Sequence, residues 1–140
     1  MRVKLDDGAI CPFRAHPTDA GLDLFAPANM KQQFILSLHS VMIDTGVHVE
    51  LPKGYVGFVM TRSGMNGNDL HCEGVIDDNY RGSIGVRIYN GNLDSYYVVD
   101  PGDKIAQLVI VPCWLGSCIP CDELSESDRG NDGYGSTGKK

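Results

Sequence analysis

Through most of the chain, hydrophobic and polar residues alternate with a period of two. A run from Ser40 to Leu51 ends in Val47-His48-Val49-Glu50-Leu51, Pro52-Lys53-Gly54 turns it, and Tyr55-Val56-Gly57-Phe58-Val59-Met60 follows. Further apolar runs cover Ile84 to Tyr89, Tyr96 to Val99, and Lys104 to Val111 after Asp100-Pro101-Gly102-Asp103. Short runs punctuated by Gly, Pro, Asn and Asp predict strands. No window of helical length keeps a 3.6-residue apolar period without a Gly or Pro inside it, and Ser63 to Leu70 has room for one turn. Gly74-Val75-Ile76-Asp77-Asp78-Asn79-Tyr80-Arg81-Gly82 sets strand formers on both sides of an acidic turn, which predicts a β-hairpin presenting two carboxylates and a ring. The fold class expected is all-β, a sandwich or jelly roll.

Composition limits the function. With 140 residues the chain fits one domain that can bury a core without metal or disulfide staples. The pattern changes at Cys121: CDELSESDRGNDGYGSTGKK holds almost nothing to bury, so residues 1–121 are expected to form the β domain and 122–140 a flexible arm. A net charge of −6 argues against a nucleic-acid backbone as the main partner. No stretch approaches the roughly 20 apolar residues of a membrane span, and MRVKLDDGAI lacks the order of a signal peptide. A cytoplasmic protein with no membrane partner is expected. Five cysteines are an odd set, which does not suggest an extracellular disulfide framework. Cys113, Cys118 and Cys121 have no clear fourth zinc ligand and are read as thiols.

Several segments carry chemistry. Gly133-Tyr134-Gly135-Ser136-Thr137-Gly138-Lys139 matches seven positions of a phosphate loop, but it has neither a preceding strand nor a following helix, so that assignment fails. Its small residues, the Ser136 and Thr137 hydroxyls and the Arg129 guanidinium remain suited to phosphate. Arg62 and Ser63 follow a strand, where they can meet phosphate oxygens. Asp23 stands within the apolar run Asp19-Ala20-Gly21-Leu22-Asp23-Leu24 and needs solvent, a hydrogen bond or a cation. Gln107 is an amide within a β run.

In order along the chain, DAGLDL, RSG, GVIDDNYRG, GDKIAQLV and RGNDGYGSTG resemble the five motifs of the trimeric dUTP pyrophosphatase (dUTPase) family, from about Asp19 to Gly138. The resemblance implies a jelly-roll homotrimer with active sites at subunit interfaces, an arm that closes over a neighbour's site, and Mg2+-dependent hydrolysis of dUTP to dUMP and pyrophosphate. It identifies Asp77 as the catalytic carboxylate that activates water, and Tyr80 as the ring that packs on deoxyribose and excludes a 2′-hydroxyl. Backbone groups from Gly74 to Arg81, with Ile76, would pair with uracil. Arg62, Ser63, Gly64 and Gln107 would contact phosphates. Arg129, Ser136 and Thr137, with Gly135, would reach the γ-phosphate from the arm, and Tyr134 would stack on uracil where the family usually has Phe. Asp23 would hold magnesium indirectly, through water.

The chain departs from the family pattern in places. Thr61 stands for a Pro, and Met65-Asn66-Gly67-Asn68 for a more apolar stretch, so this region is expected to be looser. His71-Cys72-Glu73 is bulkier than expected before the uracil segment. The related dCTP deaminases use a Glu on the strand after the hairpin, and Ser83-Ile84-Gly85-Val86-Arg87-Ile88-Tyr89 has none. A nucleotide-sensing binding protein is the alternative from another class, and intact Asp77 and arm motifs argue against a purely binding role.

Overall fold

The computed structural model describes residues 1–128 and 130–131. Its elements are β1 (Arg2–Leu5), β2 (Gly21–Phe25), β3 (Gln33–Ile35), β4 (Ser40–Glu50), β5 (Tyr55–Met60), α1 (Ser63–Asn66), β6 (Leu70–His71), β7 (Glu73–Ile76), β8 (Ser83–Asn90), β9 (Tyr97–Val99) and β10 (Lys104–Pro112). Two four-stranded sheets run β1-β4-β8-β6 and β2-β10-β5-β7, with β3-β9 as a separate ribbon. Every ladder is antiparallel. This is the expected all-β class, and α1 supplies the single turn expected after Arg62. No helix among the described residues is long and apolar enough to cross a membrane.

Alternation explains the core. Ile43, Val47 and Val49 from β4, and Ile84, Val86 and Ile88 from β8, point inward from the first sheet. Leu22, Leu24, Val59 and Leu108 meet them from the second. In β10 the consecutive residues Ile105 and Ala106 are both buried, because the register with β2 shifts between Lys104 and Ala106. Two polar residues lie fully inside. Thr45 donates to the Ile84 carbonyl at 2.7 Å and accepts the Val47 N–H at 3.2 Å. Asn90 donates to the carbonyls of Ile35 and Ser95, both at 2.9 Å, and accepts the Asn92 N–H at 3.1 Å. Among the described residues no buried side-chain polar atom lacks a partner, as burial requires.

The structure corrects the reading of GVIDDNYRG. β7 pairs with β5, and β8 pairs with β4 and β6, so the two runs belong to different sheets and do not form a hairpin ladder. Residues 77–82 are a crossover loop between the sheets. Strands β6 and β3 are too short to announce themselves, and β1 is short and largely exposed, leaving little apolar alternation to read. Beyond Pro112, residues 113–128 have no regular structure, and Trp114, Leu115, Ile119 and Leu124 are exposed.

Replacing Asn90 with Ala leaves the Ile35 and Ser95 carbonyls without their amide donor. Chemical denaturation should register a loss of about 2–4 kcal/mol, and a loss near zero would show that Asn90 does not tie β3 and the β8–β9 connection to the core.

Candidate active site

A cleft of about 330 Å³ opens at the end of β5, lined by His16, Asp19, Gly21, Asp23, Arg62, Ser63 and Gln107 among others. β10 sets Gln107 directly opposite Asp23 on β2 and opposite Met60 on β5. Gly21 leaves space that the Gln107 side chain enters, since a Cβ there would collide with it. Gln107 donates from Nε2 to the Thr61 carbonyl at 3.1 Å, which places its amide beside the Arg62-Ser63 turn.

Asp23 is 8% exposed. Arg62 Nε donates to its Oδ1 at 2.9 Å and Lys104 Nζ to its Oδ2 at 2.7 Å. The buried carboxylate therefore has the cations that its position demands. Two cations flank the buried carboxylate, and Asp19 on the cleft wall balances the second of them, so the cleft offers an incoming phosphate directed donors rather than a net positive charge. Lys104 is the residue sequence reasoning missed. Its ammonium also lies 5.4 Å from the Phe13 ring centroid and 5.9 Å from that of Phe25, and the signal available was its position in GDKIAQLV. Asp19 and His16, also unassigned, form the wall of the cleft through a contact of 3.2 Å between His16 Nδ1 and Asp19 Oδ2. Ser63 is exposed on the cleft, and Gly64 follows it in α1.

The turn before α1 is tied down rather than loosened. Thr61 Oγ1 donates to the Cys72 carbonyl at 2.9 Å and accepts the Cys72 N–H at 2.8 Å, so the hydroxyl that replaces Pro brackets the exit of β5. Burial holds the Cys72 thiol above its ordinary range, with a smaller opposing effect from Thr61. A protonated buried thiol is not a nucleophile at neutral pH.

The loop after β7 separates its two carboxylates. Asp78 Oδ2 accepts the Gly54 N–H at 3.0 Å and anchors the loop to the β4–β5 turn. Asp77 is exposed, and its side chain has no hydrogen-bond partner among the described residues. The Tyr80 N–H donates to the Asp77 carbonyl at 3.1 Å, and the Tyr80 hydroxyl donates to the Ser83 carbonyl at 2.9 Å. The ring folds so closely over Gly82 that any Cβ there would strike it. Arg81 turns inward on the loop, donating from Nη1 to the carbonyls of Asp78 and Tyr80, both at 2.7 Å. Gly74 and Ile76 lie on β7 opposite Val59 and Gly57.

Within one chain the loop and the cleft do not meet. Met60 pairs with Glu73 and Gly57 with Ile76, so Asp77 falls near the Val56 end of β5 and Arg62 beyond the other end. Six residues of strand separate them by about 20 Å. Arg129, Tyr134, Gly135, Ser136 and Thr137 lie outside the described residues.

No group of three or more His, Cys, Asp or Glu able to hold a metal occurs among the described residues. Both oxygens of Asp23 already accept from cations, leaving lone pairs for water but not an empty inner coordination position. These donors fit magnesium carried by phosphate and water, not an all-protein cage.

A family model described as dUTPase matches residues 7–138. The deoxyuridine 5'-triphosphate nucleotidohydrolase of Clostridium acetobutylicum is 40% identical, the match covering 98% of this chain and 94% of that protein, and that of Corynebacterium glutamicum is 39% identical over 98% and 93%. Among solved structures, the Staphylococcus bacteriophage 80alpha dUTPase with dUPNHPP has a TM-score of 0.90 at 33% identity, covering 98% of this chain and 97% of its own. A mutant dUTPase from phage phi11 of S. aureus, described with a structural Mg(II) ion, has a TM-score of 0.80 at 31% identity, covering 89% and 98%. With ordered motifs, a two-sheet fold and a family match across nearly its whole length, this chain belongs to the dUTPase family.

Proposed function

We propose that the chain hydrolyses dUTP to dUMP and pyrophosphate by attack of water on the α-phosphorus, removing dUTP from the DNA precursor pool and supplying dUMP for dTTP synthesis. The observation that carries this reading is the division of labour in the loop after β7. Asp78 is consumed by the Gly54 N–H, whereas Asp77 stands exposed beside Tyr80. An unengaged carboxylate beside an aromatic wall is what a general base next to a sugar requires.

In this reading Asp77 accepts a proton from the attacking water. The Tyr80 ring, braced by Gly82 and Ser83, packs on deoxyribose and leaves no room for a 2′-hydroxyl. Backbone groups from Gly74 to Arg81 hydrogen-bond to uracil, and the strand pairing of Gly74 and Ile76 keeps them in register. Arg62, Ser63, Gly64 and Gln107 hold phosphate oxygens, while Arg129, Gly135, Ser136 and Thr137 of the arm serve the γ-phosphate and Tyr134 stacks on the base. Asp23, with Lys104, keeps Arg62 oriented and accepts hydrogen bonds from waters around Mg2+. The metal, when bound by the triphosphate, offsets charge on the pyrophosphate leaving group. The chain's own contribution is alignment and charge stabilisation.

A triphosphate cannot reach from Asp77 to Arg62 of the same chain when about 20 Å of strand lies between. The site is therefore completed by a second copy, one chain giving its loop and the next its cleft. Such a contact is heterologous, and a rotation of one third of a turn between copies would close it as the homotrimer of this reading. Half-exposed Phe58, Met60 and Val75 on the outer face of the second sheet, with Trp114 and Leu115 of the tail, supply apolar surface for such contacts. Five free cysteines suit a reducing cytoplasm.

Purified protein should release pyrophosphate from dUTP with magnesium, with little release from dCTP, dTTP or UTP and none with EDTA; binding of dUTP without release would refute the reading. Asp77→Asn should retain nucleotide binding while kcat falls about 10²–10⁴-fold. Turnover near wild type would remove Asp77 from the role of base.

A further inference from the structure

His48 sits on the outer face of β4 against the nucleoside loop. The register of β4 with β8 shifts between Asp44 and His48, and this irregularity brings His48 opposite Ser83, at the end of the loop that carries Asp77 and Tyr80. The imidazole makes two contacts of 2.9 Å: Nδ1 with the Arg81 carbonyl oxygen, and Nε2 with Asp6 Oδ2 in the connection after β1. A carbonyl and an ionised carboxylate can only accept. Both contacts are hydrogen bonds at once only when both ring nitrogens carry protons.

The other charged groups around the ring are accounted for. From β1, Arg2 pairs with Glu50 at 2.5 Å and Lys4 approaches Asp6 at 3.7 Å. From β4, Glu50 also faces Arg81 at 3.7 Å, and Asp44 accepts from the Ser83 hydroxyl and from the Gly46 N–H. From the loop, the Arg81 guanidinium bonds to carbonyls of its own turn. Asp6 and the Arg81 carbonyl are therefore the groups that hold the imidazole. The Asp78–Gly54 bond grips one end of the loop, and His48 grips the other.

We propose that His48, as the imidazolium, is a positioning residue for the nucleoside loop, bridging Asp6 to the Arg81 carbonyl so that affinity for dUTP depends on its protonation. The inference rests on the loop being the nucleoside site. Its pH window follows from the two partners. The Asp6 hydrogen bond first, then the Arg81 carbonyl, raises His48 above its ordinary 6.5, and the His48 hydrogen bond lowers Asp6 below its ordinary 3.8. A raised histidine contributes fully below its unfolded value and loses its contribution as pH rises through the folded one; a lowered aspartate contributes fully above its unfolded value and fails as pH falls through the folded one. The bridge is intact at mildly acid pH and opens on the alkaline side of 6.5.

The test uses the intact protein. Without nucleotide, hydrogen exchange at Tyr80, whose N–H closes the loop on the Asp77 carbonyl, corrected for the intrinsic rate, should lose about five-fold protection as pH rises through the His48 transition, the size of one hydrogen bond. Over the same range KM for dUTP should rise about five-fold with kcat changed less than about two-fold. His48→Gln should abolish both transitions, and Asp6→Asn should move both to lower pH, which a merely structural histidine would not do. Exchange and KM that are flat with pH in the wild type, or transitions that persist in His48→Gln, would overturn the proposal. Failure to hydrolyse dUTP at any pH would instead overturn the assigned activity, and the exchange measurement would still decide the role of His48.

Discussion

Strand β5 is the constraint on which the rest depends. It is hydrogen-bonded on one side to β10 and on the other to β7, so a single rigid element fixes both working ends of the molecule. At one end β10 delivers Gln107 and Lys104 to Arg62 and Asp23. At the other, β7 delivers the loop bearing Asp77 and Tyr80. Antiparallel pairing forces these ends apart, and no side-chain rearrangement within a chain can bring them together. On the proposed reading, that separation leaves a lone subunit with a loop and a cleft that cannot serve one nucleotide together, so a second copy is needed to complete the site.

Charge is organised with the same economy. The chain is acidic, yet the cleft gathers Arg62 and Lys104 around one buried carboxylate. Asp23 offsets the cost of holding two cations close together, and with Asp19 on the cleft wall it leaves their N–H groups as directed donors rather than as surplus charge. In the loop, similar groups are divided by role: Asp78 and the Arg81 guanidinium are spent on backbone atoms, which leaves Asp77 open to solvent. Tyr80 is held by a hydroxyl bond and by the absence of a side chain at Gly82. The loop and the cleft are each fixed by bonds within the chain, which suits the proposed catalysis by alignment.

Much of this was legible in the residues. Period-two alternation in β4, β5, β8 and β10 marks strands because one face of each is buried, and the ordered motifs mark the family. The sheet assignment was not legible: apolar runs flanking an acidic turn look alike whether they pair with each other, as a hairpin, or with strands of two different sheets, as β7 and β8 do. β1 is short and largely exposed, and β3, with Ile35 as its one buried residue, is too short to leave a pattern. Lys104 was hidden because a lysine entering a strand is ordinarily solvated, and only the fold reveals Asp23 beneath it. His48 looked like one polar position in an alternating run, and its two acceptors come from segments 42 and 33 residues away. Thr61 shows the converse: a substitution read as loosening proves to be a bracket.

The most direct test of the central claim is complementation between two inactive variants, Asp77→Asn and Arg62→Ala. A site that takes its loop from one copy and its cleft from the next should reappear when the two are unfolded together at equal concentration and refolded. Random assembly restores about one quarter of the sites in a closed ring, so the mixture should regain about a quarter of wild-type turnover while neither variant refolded alone does. Mixed oligomers, verified by mass, that remain as inactive as the separate variants would contradict an active site shared between chains.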